Sequence, residues 1–155
     1  MALKQDKRFL IIDTVLGNPT DEDEDDNLVL IQLRGAEGIS FPYAYDLTLI
    51  GPKNGRPAAS RLIGSRVSFG IKHVINEGDD ETFEHVRRHG VIESFAEIGP
   101  LGDFRGYTAR IVPAFRLTAY ETRFRVFEER TLEEILREVL RPYPEIDLNT
   151  NSLKD

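Results

Sequence analysis

Along most of the chain apolar and polar positions alternate with period two, and one stretch near the C-terminal end switches to the helical period. In residues 41–50, Phe41, Tyr43, Tyr45, Leu47 and Leu49 fall on one side, with Pro42, Ala44, Asp46 and Thr48 on the other. Successive side chains of an extended backbone point to opposite faces, so this spacing predicts a half-buried strand. Pro42 has no N–H to give a ladder, which places its end of the strand at an edge or a bulge. The same alternation predicts strands over 65–72, with Val67, Phe69 and Ile71 on one face, and over 107–112, stopped by Pro113. Residues 8–15 are a further strand candidate, and the continuous apolar start of 28–33 predicts a strand buried on both faces. Residues 83–98 read as a long extended stretch broken at Gly90, followed by a turn at Gly99-Pro100-Leu101-Gly102. Residues 123–127 read as one more alternating strand with Phe124 and Phe127 in the core.

Residues 132–140 behave differently. Leu132, Ile135, Leu136, Val139 and Leu140 recur at the helical spacing and form one apolar stripe, with Glu133, Glu134, Arg137 and Glu138 on the other face. Thr131 with Glu134 three residues on has the form of a capping box, and Pro142 ends the helix. A second, short helix is expected over 58–63, stopped by Gly64. The fold class is therefore mainly β with one C-terminal amphipathic helix, and strands at this spacing point to a β-barrel or sandwich. The expected organisation is a barrel over residues 1–130, the helix over 131–141, and the start of a following segment or tail over 142–155.

Composition narrows the function classes. At 155 residues with 40% hydrophobic and 30% charged side chains, the chain has material for one folded domain. Its 27 acidic against 20 basic residues give a net charge of −7, which disfavours nucleic acid and anionic membranes as partners. The absence of cysteine removes disulfides, thiolate metal sites and cysteine nucleophiles. The N-terminal apolar stretch, Phe9 to Ile12, is too short for a signal peptide, and no run reaches the ~20 apolar residues of a membrane helix. The acidic run 21–26 repels itself and reads as a solvated loop, as does the polar stretch 76–81.

No constellation of residues selects a reaction. His85 and His89 are four apart, but in extended backbone that spacing is about 13 Å, and only His73 remains as a third histidine. The run 21–26 lacks the glycine and distal glutamate of a calcium loop. Ser68 sits in no Gly-x-Ser-x-Gly elbow, and no glycine-rich phosphate loop is present. Arg123, Arg125 and Arg130, interleaved with Phe124 and Phe127, suit contacts between subunits better than nucleic acid at this net charge. The chain is accordingly read as no enzyme, with no catalytic, cofactor-binding or metal residues, and no cofactor.

The order of segments resembles a known family. Gly35-Ala36-Glu37-Gly38-Ile39-Ser40 running into the aromatic strand looks like the opening of the VgrG and phage late-control hub family. Leu62-Ile63-Gly64 stands where that family has a Leu-Leu-Gly, and His89-Gly90-Val91-Ile92 is similar to its next signature. Residues 107–113 with Phe115 and Leu117 resemble its proline-terminated strand, 123–127 its Arg-Ile-Phe step, and 131–140 its helix. The likeness runs over about 28–141, with two departures: Ala114 where tryptophan is common, and the acidic run 21–26.

This resemblance implies a phage baseplate hub-like β-barrel domain from the base of a membrane-puncturing spike. The family's hub is longer than this chain, so a fragment of a larger protein is expected. The implied partners are its own subunits, as a homotrimer of the full-length protein, a hexameric tube protein on which the ring stacks, and possible effectors. The implied route is assembly in the bacterial cytoplasm and export by the injection machine without a signal peptide. The same strands and helix also suit a second reading, a generic β-barrel binding module without catalytic activity. A glycan hydrolase has no motif behind it.

Overall fold

The computed structural model describes residues 8–16, 28–76, 82–144, 146 and 148–149. They fall in two compact units that divide between Pro113 and Ala114. Residues 114–130, expected within the barrel, thus group with the C-terminal helix.

The first unit is one antiparallel sheet of six strands, β1 (Leu10–Asp13), β2 (Val29–Gly38), β3 (Phe41–Gly51), β4 (Arg66–Asn76), β5 (Thr82–Leu101) and β6 (Phe104–Val112). Their order in the sheet is β1-β4-β5-β6-β3-β2. The end strands β1 and β2 return beside each other, so the sheet is curled. A short helix, α1 (Ala59–Leu62), lies against β5 and buries Leu62 completely.

The alternation read from 41–50 is realised in β3: Tyr45, Leu47 and Leu49 enter the core, while Asp46 stays exposed. They meet Phe69 and Val67 of β4, Ile12 of β1, Leu30 of β2, Ile92 of β5 and Tyr107, Ala109 and Ile111 of β6. Within this core Tyr45 meets Phe69 edge-on at 5.0 Å between ring centroids, the geometry that aligns a positive ring edge with a negative ring face. Pro42 lies where β3 pairs only with β2, beside a register shift between Ala36 and Gly38. No N–H is required of it there.

Several expectations need correction. β2 is buried on both faces only at Val29 and Leu30, and from Ile31 onward it is largely exposed, because only its first residues lie where the sheet curls over. β5 is not broken at Gly90 but runs through twenty residues. Gly90 is where it changes neighbour: residues before it pair with β4, and from Val91 onward it pairs with β6. A Cβ at Gly90 would lie 2.7 Å from both Ile111 Cγ2 and the Val112 carbonyl oxygen, so the close approach requires glycine. The expected turn at 99–102 starts later. Gly99, at φ 102°, and Pro100 remain in the strand, beside a register shift between Glu97 and Gly99, and the chain reverses at Gly102-Asp103.

In the second unit, α2 (Leu132–Leu140) has the predicted bounds and cap: Thr131 Oγ1 accepts from the Glu134 N–H at 3.3 Å, and Glu134 Oε2 accepts from the Thr131 N–H at 2.9 Å. A 3₁₀ helix over Ala114–Tyr120 was not legible in the sequence. Residues 123–127 form no strand, and Phe124, expected in a core, is 94% exposed. These residues find no partner strand, so alternation alone does not bury them. The runs 21–26 and 77–81 lie outside the described residues.

Candidate assembly surfaces

Three of the segments that carry the resemblance, 62–64, 89–92 and 107–113, meet at one seam of the sheet. Gly64, held at φ 80° where a side chain would be strained, ends α1 and donates its N–H to the Ile92 carbonyl at 2.8 Å. Ile92 returns its own N–H to the Ser65 carbonyl at 3.1 Å. Two residues back along β5, Gly90 packs on Ile111 and Val112 of β6. Tyr43 of β3 donates its hydroxyl to the His89 carbonyl at 2.5 Å, reaching β5 past the end of β6. Burial, and then the nearby Glu37 carboxylate, push the Tyr43 phenol above its ordinary value. These residues hold strands together; none is arranged around a reacting atom.

Beside this seam the curled sheet has an open end. Tyr45, Phe69, Ile71 and Val86 line a hollow there with Gly35, and the ion pair Arg88–Glu37, at 3.0 Å, stands at its side. Gly35 leaves room for the Tyr45 ring, since a Cβ would fall 2.1 Å from its Cδ1. Ile71 and Val86 are 37% and 41% exposed.

The second unit has a groove between residues 118–127 and α2. Arg123, Arg125 and Phe127 face it, with Val139, Pro142 and Tyr143 opposite. Arg123 Nη2 and the Tyr143 hydroxyl both donate to Glu121, at 2.8 and 2.9 Å. The Arg123 bond and then the Tyr143 bond hold the Glu121 carboxyl below its usual value, and the shared bond raises the Tyr143 phenol. Arg125 donates to the Glu138 carbonyl at 3.2 Å, and Arg130 lies 3.6 Å from Glu134. The three arginines expected to reach other subunits thus have partners within their own unit. Phe124 and Val126 are exposed, as is Leu132 of α2, so this unit presents apolar side chains to solvent.

His85 and His89 share β5, and the His85 Nε2 lies 3.1 Å from the Arg8 carbonyl oxygen. Among the described residues, no group of three or more His, Asp and Glu could hold a metal ion. Ser68 accepts from Arg87 Nη1 at 3.2 Å. Among the described residues, no helix is long and apolar enough to cross a membrane. Sequence reasoning missed the pairs Tyr43–His89 and Glu37–Arg88, which join residues 46 and 51 positions apart. No local pattern marks such partners.

What the described residues define is a β-rich module whose glycines and backbone bonds fasten strands, with single large apolar side chains such as Ile39 and Phe124 left exposed. Residues 36–155 match the phage tail baseplate hub (GPD) family, and the chain belongs to that family. It is similar to VgrG1b of Pseudomonas aeruginosa, a type VI secretion system spike protein, with 26% identity over 141 residues. The likeness covers 91% of this chain and 17% of the relative. VgrG1a of the same organism, also a type VI spike protein, is 26% identical over 116 residues, covering 75% of this chain and 17% of that protein. The chain therefore spans about a sixth of these relatives, at 17% of each. The fold matches a solved E. coli structure, the c3393 protein, with a TM-score of 0.51 and 18% identity, over 78% of this chain and 33% of that one. That protein is described as a component of the type VI secretion system with structural similarity to the T4 bacteriophage tail proteins gp27 and gp5. The mainly β, hub-like fold expected from the sequence is the one observed.

Proposed function

We infer that this chain is a structural part of a contractile injection machine, a piece of the hub at the base of its spike. The observation that carries this reading is the coincidence of family and architecture. Residues 36–155 match the baseplate hub family, and Gly64 and Gly90, which stand in the segments that resemble it, sit where the sheet is fastened. Residues spent on close backbone approach support a scaffold rather than a reaction.

In this reading the full-length protein forms the homotrimeric base that stacks on a hexameric tube protein. It assembles in the bacterial cytoplasm and leaves through the machine without a signal peptide. The role is mechanical, and no side chain is assigned to catalysis. The organisation proposed for the longer protein is a barrel, then the helix over 131–141 leading towards the next hub domain.

The test is genetic and biochemical. Removing the segment 36–113 from the full-length gene should abolish release of the tube protein into the medium. Purified full-length protein should co-sediment with tube assembled from its own genome's tube protein. Undiminished release by the deletion strain, with no co-sedimentation, rejects the hub reading.

A further inference from the structure

The hairpin of β2 and β3 outreaches the ladder that holds it to the sheet. β3 pairs with β6 only from Tyr45 onward, where Tyr45 faces Ile111, so residues 41–44 pair with β2 alone. Past the Gly35–Tyr45 pair, residues 36–44 are therefore a two-stranded lobe with no ladder to a third strand among the described residues. A ribbon of two strands is marginal by itself. This one is also imperfect: its register shifts between Ala36 and Gly38, Pro42 has no N–H, and Ser40 holds φ 61° in the turn. None of its residues is fully buried, and only Tyr43 and Ala44 are partly covered.

Two side-chain bonds tie this lobe to β5. The Tyr43 hydroxyl donates to the His89 carbonyl at 2.5 Å, and Arg88 Nε donates to Glu37 Oε1 at 3.0 Å, so both bonds end on adjacent residues. Each is modest, because an open lobe would exchange the first for a bond to water and the second is half exposed. The root of the lobe is built differently. Tyr45 is buried against Phe69, and its ring leaves no room for a Cβ at Gly35. The chain thus passes, at the Gly35–Tyr45 pair, from a packed root to a lobe fastened at one spot. That spot adjoins the hollow lined by Tyr45, Phe69, Ile71 and Val86, with Glu37 and Arg88 at its side.

We propose that residues 36–44 form a flap that swings about the Gly35–Tyr45 pair, latched shut by the Tyr43–His89 and Arg88–Glu37 bonds, and that its opening widens the mouth of the hollow over Tyr45 and Phe69. The bonds inside the hairpin survive the swing. Opening needs only the two side-chain bonds to break and the partly covered Tyr43 ring to leave β5, which sets its cost well below that of unfolding the sheet. Because the two bonds end side by side, they are made or lost together, and the lobe switches between two states instead of fraying from its tip. Access to the hollow is then governed by this latch. The device lies wholly within the first unit and does not rest on the hub reading.

Lid and flap openings fall in the microsecond-to-second range, and relaxation dispersion of backbone amides detects a minor state at the fast end of it. In the 155-residue chain, the amides of residues 36–41, 43 and 44 should show dispersion with one common rate, while those of 107–111 in β6 stay flat. Tyr43→Phe combined with Glu37→Gln removes both bonds and keeps the Tyr43 ring. In that variant, checked for a cooperative melt, the open population should rise about threefold or more. High salt screens the Glu37–Arg88 pair and should move the unsubstituted chain the same way, a measurement that needs no substitution. Flat profiles over the lobe in both proteins, or an open population that neither the variant nor salt raises, overturn the proposal. Exchange at the same rate in 107–111 overturns it too, since the sheet would then be opening as a whole.

Discussion

Arg88 Nε donates to Glu37 Oε1 at 3.0 Å across the open end of the curled sheet, tying β5 to β2, strands that β6 and β3 separate in the sheet order. The bond is a tertiary link made by side chains alone. Both partners are 47% exposed, so water screens it, and pairs of this kind contribute about 0–1 kcal/mol. A double-mutant cycle with Glu37→Gln and Arg88→Gln should give a coupling in that range by urea unfolding, shrinking in high salt. Coupling well above it would mean the pair is covered in solution.

Gly90 should tolerate no side chain. Gly90→Ala sets a methyl 2.7 Å from a backbone oxygen and from Ile111, itself fully buried, so the strands must separate at the point where β5 changes neighbour. The expected loss is about 1–3 kcal/mol, typical of overpacking. Gly38→Ala is the control, since its nearest contact is an ordinary 3.5 Å to Phe41 Cβ. Chemical denaturation midpoints of the two variants should differ clearly.

The cap of α2 should titrate. Bonds from the Thr131 backbone and then its side chain hold the Glu134 carboxyl below the ordinary 4.5. A group whose folded pKa is depressed contributes stability that is present above its unfolded pKa and lost as pH falls through the folded one. Helix protection measured by amide exchange at residues 135–140 should therefore be constant above the normal glutamate range and decline below it. Thr131→Ala should lower stability by about 1 kcal/mol and flatten that acid-side decline.

Truncations at two leucines should separate core from uncovered surface. Leu47, 1% exposed among the strands, should cost about 2–5 kcal/mol as Leu47→Ala. Leu132, 58% exposed at the start of α2, should change stability of this chain by less than about 0.5 kcal/mol as Leu132→Ala. In a full-length hub protein the Leu132 change should become costly where neighbouring hub residues cover it, and thermal melts of the two proteins make the comparison.

Local pattern carried much of this molecule. Period two placed Tyr45, Leu47 and Leu49 in the core, and the Thr131–Glu134 box gave both the start and the cap of α2, because these signals need only neighbours in sequence. It failed where the outcome depends on distant chain. Gly90 looked like a strand breaker, but its missing side chain serves the approach of β6, which no local window contains. Phe124 alternates as a strand residue should, yet it lies where no second strand arrives. The surfaces were less legible still. Tyr43 and His89, or Glu37 and Arg88, reveal themselves only once the sheet curls, whereas the ordered family segments pointed to a hub without locating any contact.

The continuity of β5 has a mechanical consequence. At about 3.3 Å per residue, twenty residues give a contour of at most roughly 65 Å that belongs to two ladders in succession, with β4 along one half and β6 along the other. A thrust or pull directed along this strand loads those ladders in shear, so many hydrogen bonds must yield together before it slides. The same force applied across it would open them one at a time, like a zipper. The sheet is therefore stiff along one axis and compliant across it, and Gly90 is the joint through which load passes from one half to the other.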